Sequence, residues 1–337
     1  MPLPRPLPSS DRRLVPKTRT KIRKIIRSSG SPTLPIIIRH SSTFSTLATL
    51  LGGVLALLPG GVLVPLLLAP VLRAQQFRSG VNVVEVYAAV VDKNGSPVTG
   101  LDRADFSVLE DGVPQTISSF AEADFPLTVA VALDRSFSMK DRLSAAIDAS
   151  RSFLGELRPG DESMIVAIGS EIETVAPLSN DRPSQLQALD ALQPWGTTGL
   201  YDAIIQSIDA IQAAKGRRAL VLLSDGMDRY STASAQDALS RARRSDVMVY
   251  PIALGRTRPP LFAEIAILTG GRSFQPRDVS HLTTTMKTIA SELRHQYLLG
   301  YTPSRQIVAG EEQWRTITVR VDRPGDTVRA RDGYLVR

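Results

Sequence analysis

Cysteine is absent from this chain of 337 residues, and histidine occurs only three times. Without cysteine there is no disulfide, thiolate nucleophile, zinc ribbon or iron–sulfur site, although an oxidising compartment stays open because it permits disulfides without requiring them. The three histidines, His40, His281 and His295, are scattered along the chain. HExxH, GxSxG, a P-loop and GxGxxG are also missing, so a zinc hydrolase, a serine hydrolase and a nucleotide enzyme each lack their parts. The protein is expected not to be an enzyme.

Basic charge is scarce where a nucleic-acid surface would need it. The formal net charge is +7, but residues 1–42 hold ten Lys or Arg against Asp11 alone, so that stretch carries +9. Residues 75–337 have 29 basic and 32 acidic side chains. A slightly acidic body lacks the basic footprint of phosphate-backbone binding, and no nucleic-acid partner is expected.

From Ser41 to Leu72 no residue is charged, and Leu47 to Leu72 is dense in Leu, Val and Ala. A positive flank, an apolar run and then Leu72-Arg73-Ala74 before Gln75-Gln76 follow the order of a secretory signal. The run is also long enough to span a membrane, with Pro59, Pro65 and Pro70 working against a continuous helix. Residues 1–74 are expected to be a basic leader plus an apolar signal peptide or membrane anchor. Either leaves the rest exported: periplasmic, secreted, or anchored and facing outside the cytoplasm, with membrane contact only through this segment.

After Gln75 the pattern turns to strands. Val84, Val86, Ala88 and Val90 alternate with Val83, Glu85, Tyr87 and Ala89 up to a turn at Asp92-Lys93-Asn94-Gly95. Phe106 to Leu109 and Gln115 to Phe120 flank Glu110-Asp111-Gly112 as a second pair. The middle of the chain alternates strands and helices, which predicts a mostly parallel sheet covered on both faces. Leu127 to Leu133, Ser163 to Ile168, Ala219 to Leu223 and Val247 to Leu254 are the buried strands; stripes at Leu143–Leu157, Leu200–Ile211 and Leu282–Leu293 are the helices. The end returns to β at Gln296 to Tyr301, Ile317 to Val321 and Val328 to Ala330. Neither flank has enough strands for a sheet of its own. The expected fold is therefore a doubly wound α/β domain, residues 126–295, inserted into a small all-β sandwich-like domain made by residues 75–125 and 296–337.

Three stretches converge on one chemistry. Asp134-Arg135-Ser136-Phe137-Ser138 stands at the carboxyl end of a buried parallel strand, where open α/β sheets bind ligands. Gly196-Thr197-Thr198-Gly199-Leu200-Tyr201-Asp202 leads into a helix, and Ser224-Asp225-Gly226 follows another apolar strand. Together they resemble the metal-ion-dependent adhesion site of von Willebrand factor A domains, in which two Ser, a Thr from the second loop and an Asp from the third surround a divalent cation. The resemblance covers about residues 126–295 and implies Asp134, Ser136, Ser138, Thr198 and Asp225 as the metal residues, with Asp202 and Asp228 as candidates for an outer shell. Thr198 is taken over Thr197 because it stands four residues before Asp202. The flanks, with VVDKNGSPVTGL, DFSVLEDGVPQTISSF, YLLGYTPS and RARDGYLV, resemble bacterial von Willebrand factor A-related proteins of the acidobacterial type.

These residue types suit a hard cation, expected to be Mg²⁺ with Mn²⁺ or Ca²⁺ as alternatives. Mg²⁺ wants six oxygens and keeps several waters; the three hydroxyls can touch it while Asp134 and Asp225 hold its waters. Neutral inner ligands leave the cation much of its charge, so a carboxylate from a protein partner is the natural sixth ligand. Plainer roles stand beside this one: Asp134 as a cap for a helix starting near Met139, Asp225 as a turn residue, Asp202 as a dipole partner in its helix. The expected function is an exported, cation-dependent, adhesion-type protein-binding module. The alternatives are a structural or assembly component of the cell envelope whose metal only stabilises the fold, and a metal-assisted hydrolase using Asp134 and Asp225.

Overall fold

The computed structural model describes residues 83–122, 125–306 and 312–336. The expected leader lies outside the described residues, and among these no helix is long and apolar enough to cross a membrane.

The N-terminal flank supplies β1 (Val84–Val91), β2 (Phe106–Glu110), β3 (Val113–Gln115) and β4 (Ile117–Glu122). The alternation in β1 points Val84, Val86, Ala88 and Val90 into one apolar core. The single strand expected over Gln115 to Phe120 is two strands. β3 closes a hairpin on β2, while β4 crosses to another sheet. The hairpin turn puts Asp111 at φ 47° and Gly112 at φ 80°, the left-handed region that Asp and Gly tolerate best.

The middle follows as β5 (Leu127–Asp134), α1 (Leu143–Gly155), β6 (Glu162–Ile168), β7 (Ile172–Ser179), α2 (Arg182–Asp190), α3 (Leu200–Ile211), β8 (Arg217–Ser224), α4 (Ala235–Arg243), β9 (Val247–Ala253), α5 (Pro260–Thr269) and α6 (Leu282–Arg294). The C-terminal flank adds β10 (Gln296–Tyr301), β11 (Gln313–Val321), β12 (Thr327–Arg329) and β13 (Gly333–Val336). That is one strand more than the three expected there.

Strands of the middle form one sheet in the order β7-β6-β5-β8-β9. β5 runs parallel to β6 and β8, and β9 parallel to β8; β7 is the antiparallel edge. Leu127, Val129, Val131 and Leu133 of β5 pack with α1 and α6 on one face, and Ala130 and Ala132 pack with α3, α4 and α5 on the other. α1, which follows β5, lies on one face and α4, which follows β8, on the other. The chain therefore turns in opposite directions from the carboxyl ends of these neighbouring strands, the place where open α/β sheets bind ligands.

Both flanks share two antiparallel sheets, ordered β12-β1-β10-β4 and β13-β11-β2-β3. Their common core gathers Val86, Phe106, Val108, Tyr297, Leu299 and Ile317. The α/β layer is thus inserted between β4 and β10, which are themselves neighbours. Deleting residues 302–337 removes β11, one of the two partners of β2, and β12, one of the two partners of β1. Hydrogen exchange should then find the β2 amides that faced β11 unprotected; protection equal to that of the intact chain would show that the N-terminal strands stand without the C-terminal ones.

Candidate metal centre

Asp134 is the last residue of β5 and is fully buried. Its Oδ1 accepts the Ser136 amide at 2.9 Å, and its Oδ2 accepts the Ser224 hydroxyl at 2.7 Å. Burial pushes its pKa above the ordinary carboxylate range, the hydrogen bonds from Ser136 and Ser224 oppose that rise, and the nearby Asp225 charge adds to it. Asp134 does not cap α1, whose N-cap is Arg142 without a side-chain bond. It closes an Asx turn that sends Ser136 and Ser138 over the end of the sheet. Their hydroxyls meet at 3.1 Å, with Ser136 buried and Ser138 exposed.

Thr198 comes to the same edge by backbone ties. Phe137 N donates to Gly196 O at 3.1 Å and Trp195 N to Arg135 O at 2.7 Å, joining the second loop to the first. Gly199 N donates to Gly169 O, and Thr198 O accepts Arg229 N and Tyr230 N, joining it to the loops after β6 and β8. Thr198 is buried, whereas Thr197 is exposed and its hydroxyl lies 3.2 Å from that of Ser170.

Asp225 is buried at the end of β8, and its Oδ1 accepts Met227 N at 3.1 Å, the turn role that the plainer reading gives it. Gly226 sits at φ 81°, and a Cβ there would stand 2.0 Å from Pro259 Cγ, so this turn requires glycine. Asp202 and Asp228 are occupied in positioning loops. The Asp202 carboxylate accepts the amides of Thr232 and Ala233. Asp228 Oδ1 accepts Leu200 N at 2.7 Å and the Ser231 hydroxyl at 2.6 Å, capping α3 where Gly199 offers no side chain.

Ser224 is the residue that sequence reasoning passed over. Its Oγ accepts Gly226 N at 2.9 Å while donating to Asp134, and so couples the first and third loops. The signal was its place beside Asp225 at a strand end.

The donor set fits a hard divalent cation. Hydroxyls and carboxylates are hard oxygen ligands, the paired Ser136 and Ser138 oxygens converge, and the fully buried Asp134 carboxylate is hydrogen-bonded by the neutral Ser136 and Ser224. Among the described residues no three His, Asp or Glu side chains gather as a metal site, so a cation at this edge would rest on hydroxyls.

Residues 129–227 match the family model of the von Willebrand factor type A domain, a stretch that contains Asp134, Ser136, Ser138, Thr198 and Asp225. No curated protein matches the sequence significantly. Among solved structures, an aerotolerance-related membrane protein from Bacteroides fragilis aligns at 20% identity and TM-score 0.43, over 50% of this chain and 98% of that one. A von Willebrand factor type A protein from Catenulispora acidiphila aligns at 13% identity and TM-score 0.46, over 72% of this chain and 71% of that one. The von Willebrand domain of the type V pili tip protein Mfa5 from Porphyromonas gingivalis aligns at 12% identity and TM-score 0.41, over 49% of this chain and 94% of that one. The α/β layer has a von Willebrand factor A-like fold.

Proposed function

We propose that this is an exported binding module that grips an acidic group of a protein partner through a divalent cation, Mg²⁺ in the first place. Ser136, Ser138 and Thr198 are the hydroxyls that would contact the cation, and Asp134 and Asp225 the carboxylates that would hold its waters. The cation would supply a concentrated positive charge for a partner's carboxylate. The observation that carries this reading is the fully buried Asp134, hydrogen-bonded by the Ser136 amide and the Ser224 hydroxyl beside two converging serine oxygens. An anion kept out of water without a cationic partner is costly, and a metal with its waters would offset that cost. Hydroxyl ligands favour clamping an acid over generating hydroxide, which supports binding rather than hydrolysis. The apolar run after a basic flank, Ser41 to Leu72, supports export.

Calorimetric titration of the full-length chain with Mg²⁺ should show one site, and Ser224→Ala, which removes the hydroxyl that orients Asp134, should weaken it by about tenfold or more. Pull-down from envelope extract should lose its partner in EDTA while the fold persists. A large EDTA-induced fall in Tm, with partner binding untouched, would support the structural role instead.

A further inference from the structure

Four large apolar side chains stand in water around this site. Phe137 is 66% exposed, Tyr230 62%, Met227 50% and Trp195 40%. Single exposed apolar residues are ordinary. These four are set apart because each lies in, or is tied by its backbone to, a loop that carries the centre. Phe137 lies between Ser136 and Ser138. Trp195 N donates to Arg135 O, Met227 N to Asp225 Oδ1, and Tyr230 N to Thr198 O. The Trp195 ring is held by two neighbours: the Arg135 guanidinium lies over it at 5.3 Å from its centroid, and a Cβ on Gly169 would come within 2.7 Å of its Cε3. Arg135 is itself held by Glu173 at 2.8 Å. A ring prepared in this way loses little freedom on binding.

Resting on the binding function proposed above, we propose that Phe137, Trp195, Met227 and Tyr230 form an apolar collar around the carboxylate seat, and that the partner is a protein segment whose acidic side chain has apolar neighbours. Asp134, Ser136 and Thr198 are buried and Ser138 is exposed, so a partner's carboxylate would approach past Ser138 while the collar meets what flanks it. Charge agrees with an acidic segment: Lys140 and Arg229 are exposed at the same rim, the half-buried Arg142 donates to Ser138 O, and Asp141 opposes them. Three cations against one acid are fewer than the cluster of about four to eight basic residues that a membrane surface calls for. Aromatic and Met side chains are the types enriched at protein-binding hot spots.

The test is selection of a phage-displayed nonapeptide library, with a fixed central Glu and random flanks, on the full-length chain in Mg²⁺. Selected peptides should carry Phe, Trp, Leu or Met within two residues of the Glu. Replacing those flanks by Ser should weaken binding at least about tenfold. The Met227→Ser/Tyr230→Ser double variant should lose most of that preference while titrating with Mg²⁺ as the unaltered chain does. Selected peptides with polar flanks, no selection by a chain that binds Mg²⁺, an undiminished preference in the double variant, or equal binding to anionic phosphatidylserine vesicles would each overturn the collar and leave the metal reading in place. Failure of the unaltered chain to bind Mg²⁺ would remove that reading, and the collar with it.

Discussion

The Asp134→Asn protein is expected to fold and to bind no Mg²⁺ in the range where the unaltered chain takes up one ion. The amide is the choice for this experiment because Ala would strip acceptors from the Ser136 amide and the buried Ser224 hydroxyl, at about 1–3 kcal/mol for each group left unpaired. Asn keeps an oxygen for one of them and removes the charge. In EDTA its Tm should equal or exceed that of the unaltered chain, since a neutral group no longer bears the cost of burial beside Asp225. In Mg²⁺ a hundredfold above its Kd the unaltered chain should gain about 2.7 kcal/mol, on the order of 5–10 °C in Tm for a body of this size, and the Asp134→Asn protein should gain none. Partner binding should fail with the ion. An Asp134→Asn protein that keeps the Mg²⁺-dependent rise, or keeps its partner at full affinity, would return Asp134 to the role of a turn residue.

How much of this was legible in the sequence depended on whether a segment's periodicity came from one buried face. β5, β6, β8 and β9 are near-continuous apolar runs because helices cover both sides, and α1, α3 and α6 show stripes because each buries one side. The elements that escaped lack such a contrast. β7 is an edge strand whose residues are mostly half-buried or exposed; α4 buries only Ala238, Leu239 and Ala242; α5, Pro-Leu-Phe-Ala-Glu-Ile-Ala-Ile-Leu-Thr, is apolar almost all round and shows no stripe. The split at Thr116, where the chain leaves one sheet for the other, cannot be seen in alternation that continues across it. At the site, sequence order told which loops hold Asp134, Ser136, Ser138, Thr198 and Asp225, since strand ends and loop starts are local features. The Ser224 link and the role of Asp228 as a cap for α3 depend on contacts 90 and 28 residues apart, which no local pattern encodes.

Glu110→Ala is expected to be the most damaging single change outside the site. Glu110 and Arg315 are 3% and 1% exposed, and their side chains pair at 2.8 Å. Glu110 Oε2 also accepts the hydroxyls of Tyr301 and Tyr334, each at 2.8 Å, and Arg315 donates onward to the carbonyls of Arg305 and Gln306. Burial, reinforced by the Glu110 contact, raises the pKa of both phenols, that of Tyr334 to about 12, so both stay protonated donors across the physiological range. The cluster draws on β2 from the N-terminal flank and on β10, β11 and β13 from the C-terminal flank, and Tyr301 reaches across from one sheet to the other. Removing the carboxylate leaves a buried guanidinium without its counter-ion and takes the acceptor from one buried and one half-buried hydroxyl, which should cost about 3–5 kcal/mol. Thermal melts should fall by roughly 10 °C, with hydrogen-exchange protection lost first in β2 and β11. Replacing both charges together, Glu110→Leu with Arg315→Met, should recover much of that loss, because an apolar pair of similar volume leaves no ion unpaired. A Glu110→Ala loss below about 1 kcal/mol would mean that water reaches Arg315 and that the two flanks are held by their strand ladders alone.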